Sequence, residues 1–220
     1  GIIESFPDDG LTVTWRTPLR SGYAGPAVAD GRVFVLDWLD DPTSRTLDGT
    51  ERAVALDEET GAVLWTHEWH TSYRMLMASY AVGPRATPTV DGDRVYVVGA
   101  TGRLFCLDVE TGDVIWGKDY VADYGTSVPT WGIASAPLVD RDKLITVVGG
   151  EPDALVVAFD KRTGEEIWRA VQVVGEMGYG QPVIYEAGGA RQLIVWHATA
   201  LVSLDPDTGD VYWNQEWEAG

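Results

Sequence analysis

One short phrase, D-x-x-T-G-x-x-x-W, follows a hydrophobic strand four times in this chain, and it limits the possible folds more than any other feature. It reads Asp57, Thr60, Gly61, Trp65; then Asp108, Thr111, Gly112, Trp116; then Asp160, Thr163, Gly164, Trp168; and finally Asp205, Thr208, Gly209, Trp213. The tryptophans stand about fifty residues apart, and Trp15 ends a similar stretch one such interval before Trp65. Self-similarity at this period marks a modular array in which each unit buries its apolar face only by stacking on its neighbours.

Each unit parses as four strands. The first carries a proline near its start (Pro26, Pro88, Pro137, Pro182), where a residue without an N–H costs a sheet least. An acidic or glycine turn leads to a β-branched and aromatic second strand: Arg32 to Leu36, Arg94 to Val98, Lys143 to Val148, and Gln192 to Trp196. The third strand runs into the repeated Asp and the fourth ends at the repeated Trp. In the phrase, Asp accepts from backbone N–H groups further on, Thr supports the turn, and Gly supplies a positive φ, so together they build a hairpin. The Trp then presents a large surface to a neighbouring unit. Two residues before each Asp stands a small side chain (Ala55, Cys106, Ala158, Ser203), which implies a slot for an aromatic ring. Cys106 reads as part of that packing.

Composition narrows the function classes. A formal charge of −18, from 34 acidic against 16 basic residues, disfavours nucleic acid and anionic lipid and suits a basic partner. The acids cluster in turns (Asp8, Asp9, Asp40, Asp41, Glu58, Glu59, Asp91, Asp93, Asp140, Asp142, Asp207, Asp210) and read as a solvated rim. One cysteine excludes an intrachain disulfide or a cysteine-rich metal site. No apolar run is long enough for a membrane helix, and this segment shows no signal sequence.

Units of this length, each ended by A-x-D-x-x-T-G-x-x-x-W, resemble the tryptophan-docking repeats of the PQQ-like β-propeller family. That family includes quinoprotein dehydrogenases, the assembly lipoprotein BamB and many uncharacterised bacterial repeat proteins of the kind found in planctomycete-like organisms. The stretches Gly22 to Gly31, Gly149 to Glu151 and Arg191 to Trp196 look most like the uncharacterised group. The resemblance implies an all-β propeller of four-stranded antiparallel blades in one domain over residues 1–220. Approximate blades cover 22–69, 84–120, 133–172 and 179–217, and a strand over 11–19 belongs to a preceding blade. Four complete blades plus that strand imply part of a seven- or eight-bladed ring, with the remaining blades as partners; a four-bladed ring is the alternative. Family likeness also implies a periplasmic, extracellular or cell-envelope location.

Strand direction places the long connections Asp37 to Glu51, Thr66 to Ala86 and Gly117 to Ala136 on one face, the top, where long loops on a rigid scaffold carry function. Their aromatic and basic residues, with Tyr179 from just before the first strand of the fourth unit, make the candidate binding set: Arg85 and Trp131 first, then Tyr73, Arg74, Tyr80, Tyr124 and Tyr179, with Tyr120 also in these loops. Asp37, Asp40, Asp41 and Asp48 lack the spacing of an EF-hand and read as a solvated acidic insertion rather than a calcium site. His67 and His70 have no third ligand nearby for zinc, and His197 reads as a polar rim residue. No metal site, catalytic residue or cofactor is expected. The favoured reading is a non-catalytic scaffold that binds a protein or polymer partner through its top loops, BamB-like in architecture. The alternative is a PQQ- and calcium-dependent alcohol or sugar dehydrogenase whose catalytic residues lie partly outside this segment. Against it stands the single cysteine, because the implied dehydrogenases typically hold PQQ against a disulfide of adjacent cysteines.

Overall fold

The computed structural model describes residue 8, residues 10–77 and residues 82–217. Its strands form four antiparallel four-stranded sheets, each with its strands in chain order. The first sheet holds β1 (Ala27–Ala29), β2 (Arg32–Asp40), β3 (Asp48–Asp57) and β4 (Val63–Ser72). The second holds β5 (Thr89–Asp91), β6 (Arg94–Val98), β7 (Arg103–Asp108) and β8 (Val114–Asp119), followed by a short helix α1 (Tyr120–Tyr124). The third holds β9 (Leu138–Asp140), β10 (Lys143–Gly150), β11 (Ala154–Asp160) and β12 (Glu166–Ala170). The fourth holds β13 (Val183–Ala187), β14 (Ala190–His197), β15 (Ala200–Leu204) and β16 (Val211–Glu216).

The repeated phrase makes the same hairpin each time. Asp57 Oδ1 accepts from the backbone N–H of Thr60 at 2.8 Å and from its hydroxyl at 2.6 Å, and Asp108 and Asp160 accept from Thr111 and Thr163 N–H, both at 2.9 Å. The ladder slips at one equivalent place in all four sheets, just after the small residue, where Ala55, Cys106, Ala158 and Ser203 pair with Trp65, Trp116, Trp168 and Trp213. The small residue therefore sits directly across from the tryptophan of its own sheet.

Trp15 and the first three tryptophans of the repeated phrase each reach forward to the next phrase. A Cβ built on Gly61 would lie 2.4 Å from the Trp15 ring; on Gly112, 2.6 Å from Trp65; on Gly164, 2.7 Å from Trp116; and on Gly209, 2.7 Å from Trp168. Glycine thus serves twice at these positions, giving the hairpin its positive φ and leaving a flat seat for the ring. The indole N–H of Trp15, Trp65 and Trp116 donates to the carbonyl of Glu58, Val109 and Lys161 respectively. Trp168 Nε1 has no hydrogen-bond partner among the described residues.

Three sequence expectations change. Residues 11–19, expected as a strand, have no ladder partners, although Trp15 still seats on Gly61. Asp37 to Glu51, expected as a long loop, is mostly paired strand, with register running from Asp37 with Arg52 out to Asp40 with Gly49. The acids do not all form a solvated rim, because several join neighbouring sheets on the face of the repeated hairpins: Lys161 with Asp91, Arg191 with Asp140, and Lys143 with Asp207.

Candidate functional site

Loops leading into the first strand of each sheet all emerge on the face opposite the repeated hairpins. They place Tyr23 just before β1, Arg85 just before β5, Trp131 before β9 and Tyr179 just before β13. The Arg85 guanidinium lies over the Tyr23 ring, 5.5 Å from its centre. Tyr179 donates its hydroxyl to Glu176 Oε2 at 2.9 Å and receives the backbone N–H of Trp131 at 3.4 Å. Glu176 Oε1 also accepts from the N–H and hydroxyl of Thr130, at 3.2 and 2.9 Å.

These contacts set the protonation states. Burial, reinforced by the Glu176 carboxylate, pushes the Tyr179 phenol up to about 12, while the positive charge of Arg85 opposes that rise. Hydrogen bonds from Thr130, and then from Tyr179, hold Glu176 below the ordinary carboxylate value. At neutral pH the patch therefore offers a cation, an anion, a neutral phenol and an indole. Trp131 is 36% exposed and Tyr179 37%, which leaves both rings half available to a partner. Such amphipathic rings beside an arginine are the side chains that dominate protein interfaces.

The remaining expected residues separate from this patch. Tyr73 is 1% exposed, stacks on Trp38 with ring centres 4.7 Å apart, and gives its hydroxyl to Glu51 at 2.6 Å, so it belongs to the core. Tyr124 ends α1 and is also buried, bonded to Glu166 and covered by the Arg169 guanidinium. Tyr120 is fully buried. Arg74 is exposed but is in none of the contacts that tie Tyr23, Arg85, Trp131 and Tyr179 together. Tyr80 lies outside the described residues. Tyr23 and Glu176 were missed by sequence reasoning, although Tyr23 has the same offset from its first strand as Arg85 and Tyr179, and that periodicity was the available signal.

The carboxylates of the acidic insertion are engaged by protein donors. Asp37 is 1% exposed and takes a two-pronged bond from Arg52 at 2.7 and 2.9 Å, whereas Asp41 and Asp48 are engaged by Thr43, Ser44 and Thr46. Among the described residues no group of three or more His, Cys, Asp or Glu side chains is placed to hold a metal. His67 is instead packed by Trp69 and Phe105. Cys106 is buried, and loss of solvent pushes its thiol up to about 12, which agrees with a packing role.

A family model described as outer membrane protein assembly factor BamB matches residues 7–70 and 49–220. Quinohemoprotein alcohol dehydrogenase ADH-IIG of Pseudomonas putida is 28% identical over 237 residues, covering 96% of this chain and 30% of that protein. Among solved structures, BamB of Moraxella catarrhalis superposes with a TM-score of 0.55 at 24% identity, covering 82% of this chain and 52% of that one. Quinohemoprotein alcohol dehydrogenase from Comamonas testosteroni gives 0.58 at 20% identity, covering 91% and 35%. At these identities the superpositions establish the fold, a β-propeller, and the chain spans about half or less of each relative. Four sheets seated on one another through the repeated phrase, together with a family match over nearly the whole chain, show that this chain belongs to the PQQ-like repeat family described by the outer membrane protein assembly factor BamB.

Proposed function

We propose that the chain is a non-catalytic propeller scaffold that binds a protein or polymer partner through its top face, in the cell envelope. The observation that carries this reading is the convergence of Arg85, Trp131 and Tyr179, from three successive sheets, into one half-exposed patch. Its side chains offer charge, hydrogen bonds and ring surface, the means by which a rigid scaffold holds a partner. The name of the matched family, an assembly factor, supports the same class of function. No helix among the described residues is long and apolar enough to cross a membrane.

The test is capture from an envelope extract by the full chain and by an Arg85→Ala, Trp131→Ala double variant. Capture should fall at least tenfold while the thermal midpoint stays within a few degrees of the parent. Unchanged capture by a folded double variant would remove the patch from the function.

A second reading, a PQQ-dependent alcohol dehydrogenase, is favoured by the dehydrogenase relatives. Calcium requires several converging oxygen ligands, and the donor set of the described residues does not fit it, since Asp37 and Glu51 are consumed by protein donors. Titration with PQQ and calcium, followed by absorbance and dye-linked alcohol oxidation, separates the two readings. Saturable binding with turnover would displace the scaffold.

A further inference from the structure

Met177 and Gly178 pin the loop that carries part of the top-face patch. The Met177 side chain is 2% exposed and fills the seat at Gly149, where a Cβ would lie 2.6 Å from it. Gly178 rests on the backbone of β14, since a Cβ there would lie 2.8 Å from the Cα of His197. Glu176 and Tyr179 flank these two residues, so their bonds to Thr130 and Trp131 depend on both contacts. Little else fixes the loop. From Gln172 to Pro182 it forms no backbone-to-backbone hydrogen bond among the described residues, and Val171 enters it at φ +70°, a left-handed conformation that a β-branched residue rarely adopts.

One of the two supports contains a misfit. Side chains of β14 alternate between the faces of the fourth sheet, and Leu193 and Val195 point toward the third sheet, fully buried in the shared core. His197 takes the next place in that row and is 4% exposed, and neither ring nitrogen has a hydrogen-bond partner among the described residues. A neutral imidazole already leaves one donor and one acceptor unpaired there. A protonated one would bury a charge and two donors, at far greater cost.

No neighbouring group is placed to compensate that charge. The third sheet presents Val147, Val156 and Ala170 on the facing side. Its charged residues on that side, Asp140 and Lys143, stand at the hairpin end, where Arg191 and Asp207 engage them. On β13, Glu186 pairs with Arg191 at the same end. Ala200 of β15 pairs with His197 and with Glu216 of β16, which puts the Glu216 position two strands away, about 10 Å. Glu176, in the loop itself, is taken by Thr130 and Tyr179.

We propose that His197 is an acid-sensitive joint: protonation drives its ring out of the seat between the third and fourth sheets, frees the Met177 and Gly178 anchors, and weakens the top-face patch. This regulation rests on the patch being the binding surface. Burial alone lowers the imidazole below its ordinary value of 6.5. The closed arrangement therefore has its full stability above that value and loses it as pH falls through the lower, folded one.

The 15N-labelled full chain is titrated from pH 7.5 to 5.0. The imidazole 15N resonances of His197, assigned by their loss in His197→Leu, should move with a midpoint below 6.5. Backbone order parameters of Glu176 to Tyr179 should fall with the same midpoint, to under about 0.6 at pH 5.0. In His197→Leu they should keep their pH 7.5 values. The parent titration needs no variant and so covers the case in which the buried substitution fails to fold. Capture from an envelope extract should fall at least threefold at pH 5.0 for the parent and hold for His197→Leu. The Arg85→Ala, Trp131→Ala variant separates the two readings, because capture retained by it removes the patch, whereas order parameters that do not move remove the joint. The proposal is overturned if His197 titrates at 6.5 or above, if the loop stays ordered at pH 5.0, or if it loosens equally in His197→Leu.

Discussion

Glu51 is tightly held by its surroundings. Its carboxylate is fully buried and receives three donors, Trp69 Nε1 at 2.8 Å, the Tyr73 hydroxyl at 2.6 Å and the Ala100 N–H at 2.9 Å, the last of these from the second sheet. Gly99 makes room for it, since a Cβ there would lie 2.2 Å from Oε2. Glu51→Leu would strand all three donors, and at roughly 1–3 kcal/mol for each unsatisfied buried group the loss should be at least about 3 kcal/mol, read as a lower urea midpoint. Burial raises the Glu51 carboxyl above its ordinary value of 4.5, with the three hydrogen bonds opposing. A folded group that holds its proton more tightly contributes stability that is complete below the unfolded value and is lost as pH rises through the folded one. Unfolding measured from pH 4 to 8 should show that decline in the parent, and the Leu variant should lack this component.

At the scale of the element, the repeated hairpin and the seat it offers can be separated. Gly112 and Gly188 both have positive φ, but a Cβ at Gly112 strikes the Trp65 ring whereas one at Gly188 meets nothing within 4 Å. Gly188→Ala should therefore cost only the backbone term, roughly 1–2 kcal/mol. Gly112→Ala adds displacement of the indole and of its bond to Val109, and should cost at least about 1 kcal/mol more. Thermal melts of the two variants check the difference, and equal losses would mean that the ring contributes little to holding the sheets together. The first sheet shows a different elaboration, because the extended β2–β3 pair carries Trp38 and Glu51 beyond the length of the other sheets and builds a separate small core with Tyr73 and Ala100.

For the whole molecule the governing quantity is charge. At −18 the chain would attract a basic partner over distances of about a Debye length, roughly 8 Å at physiological ionic strength. Association of the captured partner should slow several-fold between 50 and 500 mM salt while dissociation changes less, as measured by surface plasmon resonance; a salt-independent rate would argue for a neutral partner. Several acids have a second role, since Asp91, Asp140 and Asp207 tie neighbouring sheets together on the hairpin face. Asp140 and Lys143 are buried, so the attraction in their pairs is largely offset by desolvation. The sheets are held mainly by the rings and by the apolar core between them.

Fold class, sheet number and the hairpin phrase were legible in the sequence because they depend on local chemistry repeated at a fixed period. Asp, Thr and Gly make the same turn wherever they recur, and the recurring Trp marks where a neighbour must sit. The candidate site was legible only in part. Arg85, Trp131 and Tyr179 could be placed on one face by strand direction, but Tyr73 and Tyr124 occupy similar loops and are consumed by Glu51 and Glu166. Whether a loop aromatic meets solvent or a buried acid depends on residues far away in the chain. His197 shows the same limit, for its neighbours in sequence suggest a polar rim, and only the packing of the third sheet against the fourth buries it beside a cavity. Local turn chemistry and repeat period therefore determine the architecture by themselves, whereas burial, and with it the availability of each functional group, is a property of contacts between sheets and is decided only when they pack.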